Sequence, residues 1–467
     1  MHVAEDRRLS DAFRDAALDV SLDDAIGTYR ADRSVPGLAL AVTDRSGLVA
    51  ARVAGHAEVE SERPVTHGTL FEIGSIGKAF AAVVVLQLER EGRLSLDAPV
   101  ASYLPWFNVP RHGRRITIHH LLSHTAGITA GIDGTPEATV QVWRLRSLPP
   151  GSAPGRRWHY SNVGYKALGL VVETIEDEAF AAVLRRRILV PLGMHESEPA
   201  ITNEIRDRLA VGYGPARDDR PWSEGAPLRA ATWLVTGTAD GSVAATAPDL
   251  ATFLRFLMSD KTGIAERMAE PVDAVGADGY GYGLLNRVVD GRHYIGHGGG
   301  MVGFISGMQW DPEAGLGAVV LQNGPGHNPN ALARLAIRRA RAVRDGRDPL
   351  LERAESPDEE SPDHLEPAGI SPTEPTATQS VLTGTYRSHD PWTPVFTVEA
   401  RGPDLWLTFP SAPDGFDDEQ PLVPLARGWY RVGRDRLGPE RLRFDTVIDG
   451  QARRAWLSGW DYYRVDR

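Results

Sequence analysis

The sequence has no cysteine, which excludes disulfides, thiolate chemistry and cysteine-ligated metals and suits either redox compartment. It also lacks an excess of positive charge. Its 51 Lys and Arg stand against 62 Asp and Glu, a net charge of −11 that disfavours nucleic acid and anionic membrane as partners. No apolar run reaches the roughly 20 residues that span a bilayer, and the stretch Met1 to Arg8 leads into an amphipathic helical pattern without an apolar signal core. A cytoplasmic protein is expected. No serine has glycine at both minus two and plus two, so the nucleophile elbow of α/β-hydrolases is missing. His120 and His124 have i, i+4 spacing but no evident third ligand, and they read as loop and core histidines. No metal or cofactor is expected. Gly298, Gly300 and Gly303 fit a dinucleotide fingerprint formally, yet Phe304 to Trp310 after them reads as a strand where that motif needs a helix.

What is present points to a nucleophilic serine. In Phe71-Glu72-Ile73-Gly74-Ser75-Ile76-Gly77-Lys78, Ser75 and Lys78 lie three apart at the opening of a helix, where such residues are neighbours about 5–6 Å apart. A serine hydroxyl needs a nearby base, and a desolvated lysine supplies one. The run Ala79 to Leu88 is apolar nearly all round, so the helix is buried, with Gly92 as its C-cap. Gly77 lowers helix propensity and opens space beside Ser75.

Two later motifs complete the pattern. Tyr160 and Asn162, in Trp158-His159-Tyr160-Ser161-Asn162, are two apart and would point to one side of an extended segment. A tyrosine beside cationic groups is able to relay the serine proton. Tyr294-Ile295-Gly296-His297-Gly298-Gly299-Gly300 reads as a strand whose glycines let substrate lie against bare backbone. The Gly300 N–H would pair with that of Ser75 as an oxyanion hole.

Ser75-x-x-Lys78, Tyr160-x-Asn162 and His297-x-Gly299, in this order, resemble the serine β-lactamase and penicillin-binding-protein superfamily, specifically its esterase, D-aminopeptidase and class C-like branch. The stretches Leu121 to Ile128 and Gly241 to Leu250 fit the same resemblance, which covers about residues 20 to 340. It implies a mixed α+β fold, an antiparallel sheet flanked by helices with the site between the sheet and an all-helical region. It also implies catalytic roles for Ser75, Lys78, Tyr160 and His297, an oxyanion hole from Ser75 and Gly300, and substrate contacts from Asn162, Gly298 and Gly299. Histidine stands at position 297 where many relatives have lysine, so a permanent cation is replaced by a group only partly protonated near neutral pH. That favours esters, amides or thioesters over penicillins.

Residues 351–379 are Pro-rich and acidic and read as a linker between a hydrolase domain at 1–350 and a second domain at 380–467. Short alternating segments after Val381 predict a small antiparallel barrel, similar to the lipocalin-like domain of some of these hydrolases, with Trp392, Trp406, Trp429, Trp456 and Trp460 in its core. The barrel is either a lid or substrate-selecting wall over the cleft or a passive stability or oligomerisation module. The expected partner is a small-molecule or peptide acyl substrate, and the sequence sets no oligomeric state. A hydrolase working through an acyl-Ser75 intermediate is favoured. An acyltransferase or peptide-cyclising thioesterase is the alternative, followed by a non-catalytic binding protein.

Overall fold

The structure, a computed structural model, describes residues 2–465 apart from 34, 112, 132–136, 221–222, 224, 276–277, 327–328, 354–376, 390–393 and 411–418. Period-two burial fixes the centre of the larger domain. In β1 (Gly37–Asp44), Leu38, Leu40 and Val42 join one apolar cluster while Ala39 and Ala41 join another. A strand buried on both faces lies inside a sheet covered on both sides. Around it run β2 (Leu48–Glu58), β3 (Arg63–Pro64), β4 (Asp273–Val275), β5 (Asp278–Tyr280), β6 (Leu285–Val289), β7 (Arg292–Met301), β8 (Phe304–Asp311) and β9 (Leu316–Gln322). The order is β3-β2-β1-β9-β8-β7-β6-β5-β4, antiparallel throughout. Strands from both ends of the domain thus form one sheet, and a hairpin around Asp44 to Gly47 joins β1 to β2.

Helix α1 (His2–Arg33) and a later helix (Asn330–Arg344) cover one face through Leu22, Ile26, Leu332 and Ala336. The other face carries α2 (Gly77–Arg90) and the helix Ala247–Ser259. Phe80 stacks on Phe253 with ring centroids 3.6 Å apart, pinning those two helices together. Each fully buried apolar side chain of this kind contributes about 1.5–3 kcal/mol. The helix Ala247–Ser259 starts where Thr246 accepts from the Asp249 N–H at 3.2 Å and Pro248 supplies a preset φ.

The C-terminal unit is a closed antiparallel barrel of eight strands, from Gly384–Arg387 to Trp460–Val465. Tyr386, Phe396, Leu407, Leu442 and Tyr462 fill it. The tryptophans depart from expectation. Trp406 lies on the opposite side of its strand from Leu405 and Leu407 and stacks under Arg401 and Arg434. Trp429 and Trp456, 5.5 Å apart, leave the barrel interior and pack onto the core of the larger domain. Trp460 alone of these packs against the barrel cluster, and Trp392 lies outside the described residues, as does most of the expected linker. Among the described residues, no helix is long and apolar enough to cross a membrane.

Candidate active site

A two-residue strand, Phe71–Glu72, pairs with Ala244–Ala245 and delivers the chain into the 3-10 turn Gly74–Ile76, which runs directly into α2. Ser75 is in that turn and Lys78 in the first turn of α2. The turn is held from behind: Ser306 Oγ donates to the Ile73 carbonyl at 2.7 Å, and Gly299 passes so close that a Cβ there would lie 1.9 Å from the same oxygen. Gly74 has φ +52 and faces the Gly300 backbone, so the Ser75 turn and β7 meet backbone to backbone. Gly77 opens no space beside Ser75. A Cβ on it would meet Gly241 Cα at 3.2 Å, so its missing side chain lets the turn at Gly241 lie against α2.

Ser75 Oγ accepts hydrogen bonds from Lys78 Nζ at 3.0 Å and from the Tyr160 hydroxyl at 2.6 Å. Lys78 is fully buried, donates to the Asp240 carbonyl at 2.7 Å and lies 4.8 Å from the centre of the Tyr160 ring. Gly300 lines the same cleft as Ser75, together with Met301, Gly241, Ser242 and Thr238. Asn162 does not sit on an extended segment. It is the first residue of a helix (Asn162–Glu176) capped by Ser161, whose Oγ accepts from the Gly164 N–H at 3.1 Å.

His297 is brought near Tyr160, with ring centroids 6.4 Å apart, but it is turned into the core. Desolvation and, secondarily, the Lys78 charge outweigh a bond to the Gly298 carbonyl and lower its pKa to about 4. It is a neutral imidazole at pH 7, not the partly protonated group expected. A directional chain fixes its tautomer. The Ser161 N–H donates to His124 Nδ1 at 3.1 Å, leaving His124 Nε2–H for the Tyr280 oxygen at 3.1 Å. The Tyr280 hydroxyl then faces His297 Nε2 at 3.4 Å, and His297 Nδ1–H meets the Gly298 oxygen at 2.5 Å. Gly298 thereby anchors His297, while Gly299 packs on Ile73, and neither is among the residues lining the cleft. His124 is fully buried, and desolvation followed by the Lys78 charge keeps it neutral. His120 serves instead in a capping box with Thr117, and no cluster of metal-ligating residues occurs among the described residues.

A second buried lysine was not anticipated. Lys166 Nζ lies 3.5 Å from the Asp240 carboxylate, and both residues are buried at the edge of the cleft. The chain has lysine only at positions 78, 166 and 261, so a lysine in the apolar run Val163 to Val172, one turn after Asn162, was the signal available. Glu72 was also missed. Desolvation raises its carboxyl to about 8, so it is largely protonated at neutral pH. A wider surface cleft of about 690 Å³ is lined by Arg185, Arg186, Glu198 and Arg208 and contains none of these residues. Its arginines are paired with glutamates, in line with a solvated charge run.

A family model described as Beta-lactamase matches residues 22–342, more than half of the sequence. The chain belongs to the β-lactamase family. Within that family it is 29% identical over 356 residues to Esterase EstB of Burkholderia gladioli, covering 66% of this chain and 90% of the esterase. A D-stereospecific amidohydrolase from Streptomyces sp. superposes with a TM-score of 0.54 at 26% identity, over 65% of this chain and 94% of that one. The octameric penicillin-binding protein homologue from Pyrococcus abyssi shares the fold over 95% of this β-lactamase-family chain and 99% of its own, with a TM-score of 0.60 at 24% identity.

Proposed function

We propose that this protein is a serine hydrolase in which Ser75 is acylated by small esters or amides and water releases the acyl group. The observation that carries the reading is the convergence of Lys78 Nζ and the Tyr160 hydroxyl on Ser75 Oγ, at 3.0 and 2.6 Å, at a cleft bordered by Gly300. Ser75 Oγ attacks the substrate carbonyl carbon while its proton passes to the Lys78 and Tyr160 pair. The N–H groups of Ser75 and Gly300 receive the negative oxygen of the tetrahedral intermediate. Collapse expels the leaving group, which takes its proton from Tyr160, and a water attacks the acyl-Ser75 ester by the same proton path in reverse. His297 and His124 act from behind, as neutral supports of β7 and of the Tyr160 segment. Because His297 is neutral and inward, its position offers no cation to a substrate carboxylate. That supports esters and amides, and the esterase and D-stereospecific amidohydrolase relatives support the same class.

Intact-protein mass spectrometry after brief exposure to aryl esters and D- and L-amino-acid amides tests this. A transient adduct in the wild type and none in Ser75→Ala is expected, with Tm unchanged. Equal turnover by Ser75→Ala would overturn the assignment. Faster decay of the adduct with added amines would make the enzyme a transferase.

A further inference from the structure

The barrel reaches the segment that carries Tyr160. Glu440, between Pro439 and Arg441, projects one carboxylate oxygen to two groups of the larger domain: His159 Nε2 at 2.9 Å and the Ala130 N–H at 2.7 Å. Its other oxygen accepts from Ser458 Oγ within the barrel. Arg441 secures the same corner by donating to the Pro150 carbonyl at 2.9 Å. Both groups that Glu440 grips lead straight to the site. His159 precedes Tyr160, and its N–H is held from inside by the His124 carbonyl at 2.8 Å. The Ala130 carbonyl accepts from the Val163 N–H at 3.1 Å, and Ser161 Oγ donates to the Thr129 carbonyl at 2.7 Å. Tyr160 is therefore flanked by backbone whose inner anchor is His124 and whose outer anchor belongs to the other domain.

We propose that Glu440 is a positioning residue for acyl transfer, holding Tyr160 over Ser75 through His159 and the 129–130 loop, so that the barrel completes the active site. The proposal rests on the hydrolase reading above. The charge state suits the role. Desolvation raises the Glu440 carboxyl, but the bonds from His159, Ser458 and Ala130 more than reverse this and hold it below its usual range, so it is ionised and accepting at neutral pH. Loss of the clamp lets the Tyr160 hydroxyl drift from its 2.6 Å contact, and a displacement of about 1 Å lowers a positioned reaction by as much as 10²-fold.

The test uses the full chain and an aryl ester, with pre-steady-state kinetics separating ester binding from the acylation rate constant. Glu440→Ala should lower acylation by about 10–100-fold with ester affinity within about threefold. Glu440→Gln, which keeps an oxygen for His159 and Ala130, should restore most of the rate. His159→Ala, which breaks one of the two links, should lower acylation by no more than Glu440→Ala does, and the double variant should match Glu440→Ala, since Glu440 carries both links. Hydrogen exchange needs no substrate: residues 158–163 should exchange faster in Glu440→Ala and His159→Ala. Wild-type acylation by Glu440→Ala, or additive losses in the double variant, overturns the proposal. Should Glu440→Ala fail to fold, His159→Ala decides from the other side of the link. A wild type that no ester acylates overturns the hydrolase reading alone, and unchanged exchange at residues 158–163 then overturns the clamp.

Discussion

At Ser75 the decisive quantity is the spacing of three polar atoms inside an apolar wall. Lys78 is fully buried yet reaches Ser75 Oγ, the Asp240 carbonyl and the Tyr160 ring. Lys78→Met, similar in length but without the amine, should reduce acylation by at least about 10³-fold while the protein stays folded, because groups that act as a unit fail together. Single-turnover kinetics with an aryl ester checks this. Glu72 makes a separate prediction about pH. Its folded pKa of about 8 lies above its ordinary 4.5, so the stability it contributes is fully present below about pH 4.5 and is lost as pH rises to about 8. Glu72→Gln should therefore gain Tm relative to wild type progressively from pH 5 to 8, with no further gain above. Parallel melting curves across that range would refute the raised carboxyl.

At the scale of elements, the Ser75 turn is placed by backbone contact and the Lys166–Asp240 pair by burial. Gly299 leaves no room for a methyl group beside the Ile73 carbonyl, so Gly299→Ala must push β7 and the turn apart. Loss of acylation with ester affinity largely retained is expected, along with a lower Tm. Lys166 and Asp240 link the helix Asn162–Glu176 to the loop that carries the Lys78 acceptor. Removing one member of a buried pair leaves the other charge uncompensated and costs about 3–5 kcal/mol, whereas removing both is far milder. Urea melts should show Asp240→Asn strongly destabilised and Lys166→Met/Asp240→Asn recovering most of the loss. Additive losses would show that the two residues act separately.

For the molecule as a whole, Trp429 and Trp456 make the barrel part of the larger domain's core. The same face carries Arg144 on the Gly459 carbonyl at 2.9 Å and Arg157 on Asp435 at 2.8 Å. Trp429→Ala should cost about 3–5 kcal/mol, as buried aromatic truncations do. Calorimetry should show one cooperative transition in wild type and a separated barrel transition in Trp429→Ala. A two-step melt in wild type would mean that the interface does not couple the domains.

Local pattern was enough for much of this protein. The helix after Ser75, the strands at Tyr294 to Gly300 and Phe304 to Trp310 and an antiparallel barrel after residue 380 all follow from periodicity and punctuation, which the backbone obeys residue by residue. That Ser75, Lys78 and Tyr160 would come together was legible from their residue types and from the motifs in which they stand. What no spacing encodes is which groups from distant strands share a low-dielectric volume. The neutral state of His297, the raised carboxyl of Glu72, the pairing of Lys166 with Asp240 and the reach of Glu440 to His159 all depend on burial and on partners far away in the chain. The tryptophans show the same division. Their alternation along strands was readable, but which face of the barrel would meet a second core was decided only when the two domains packed together.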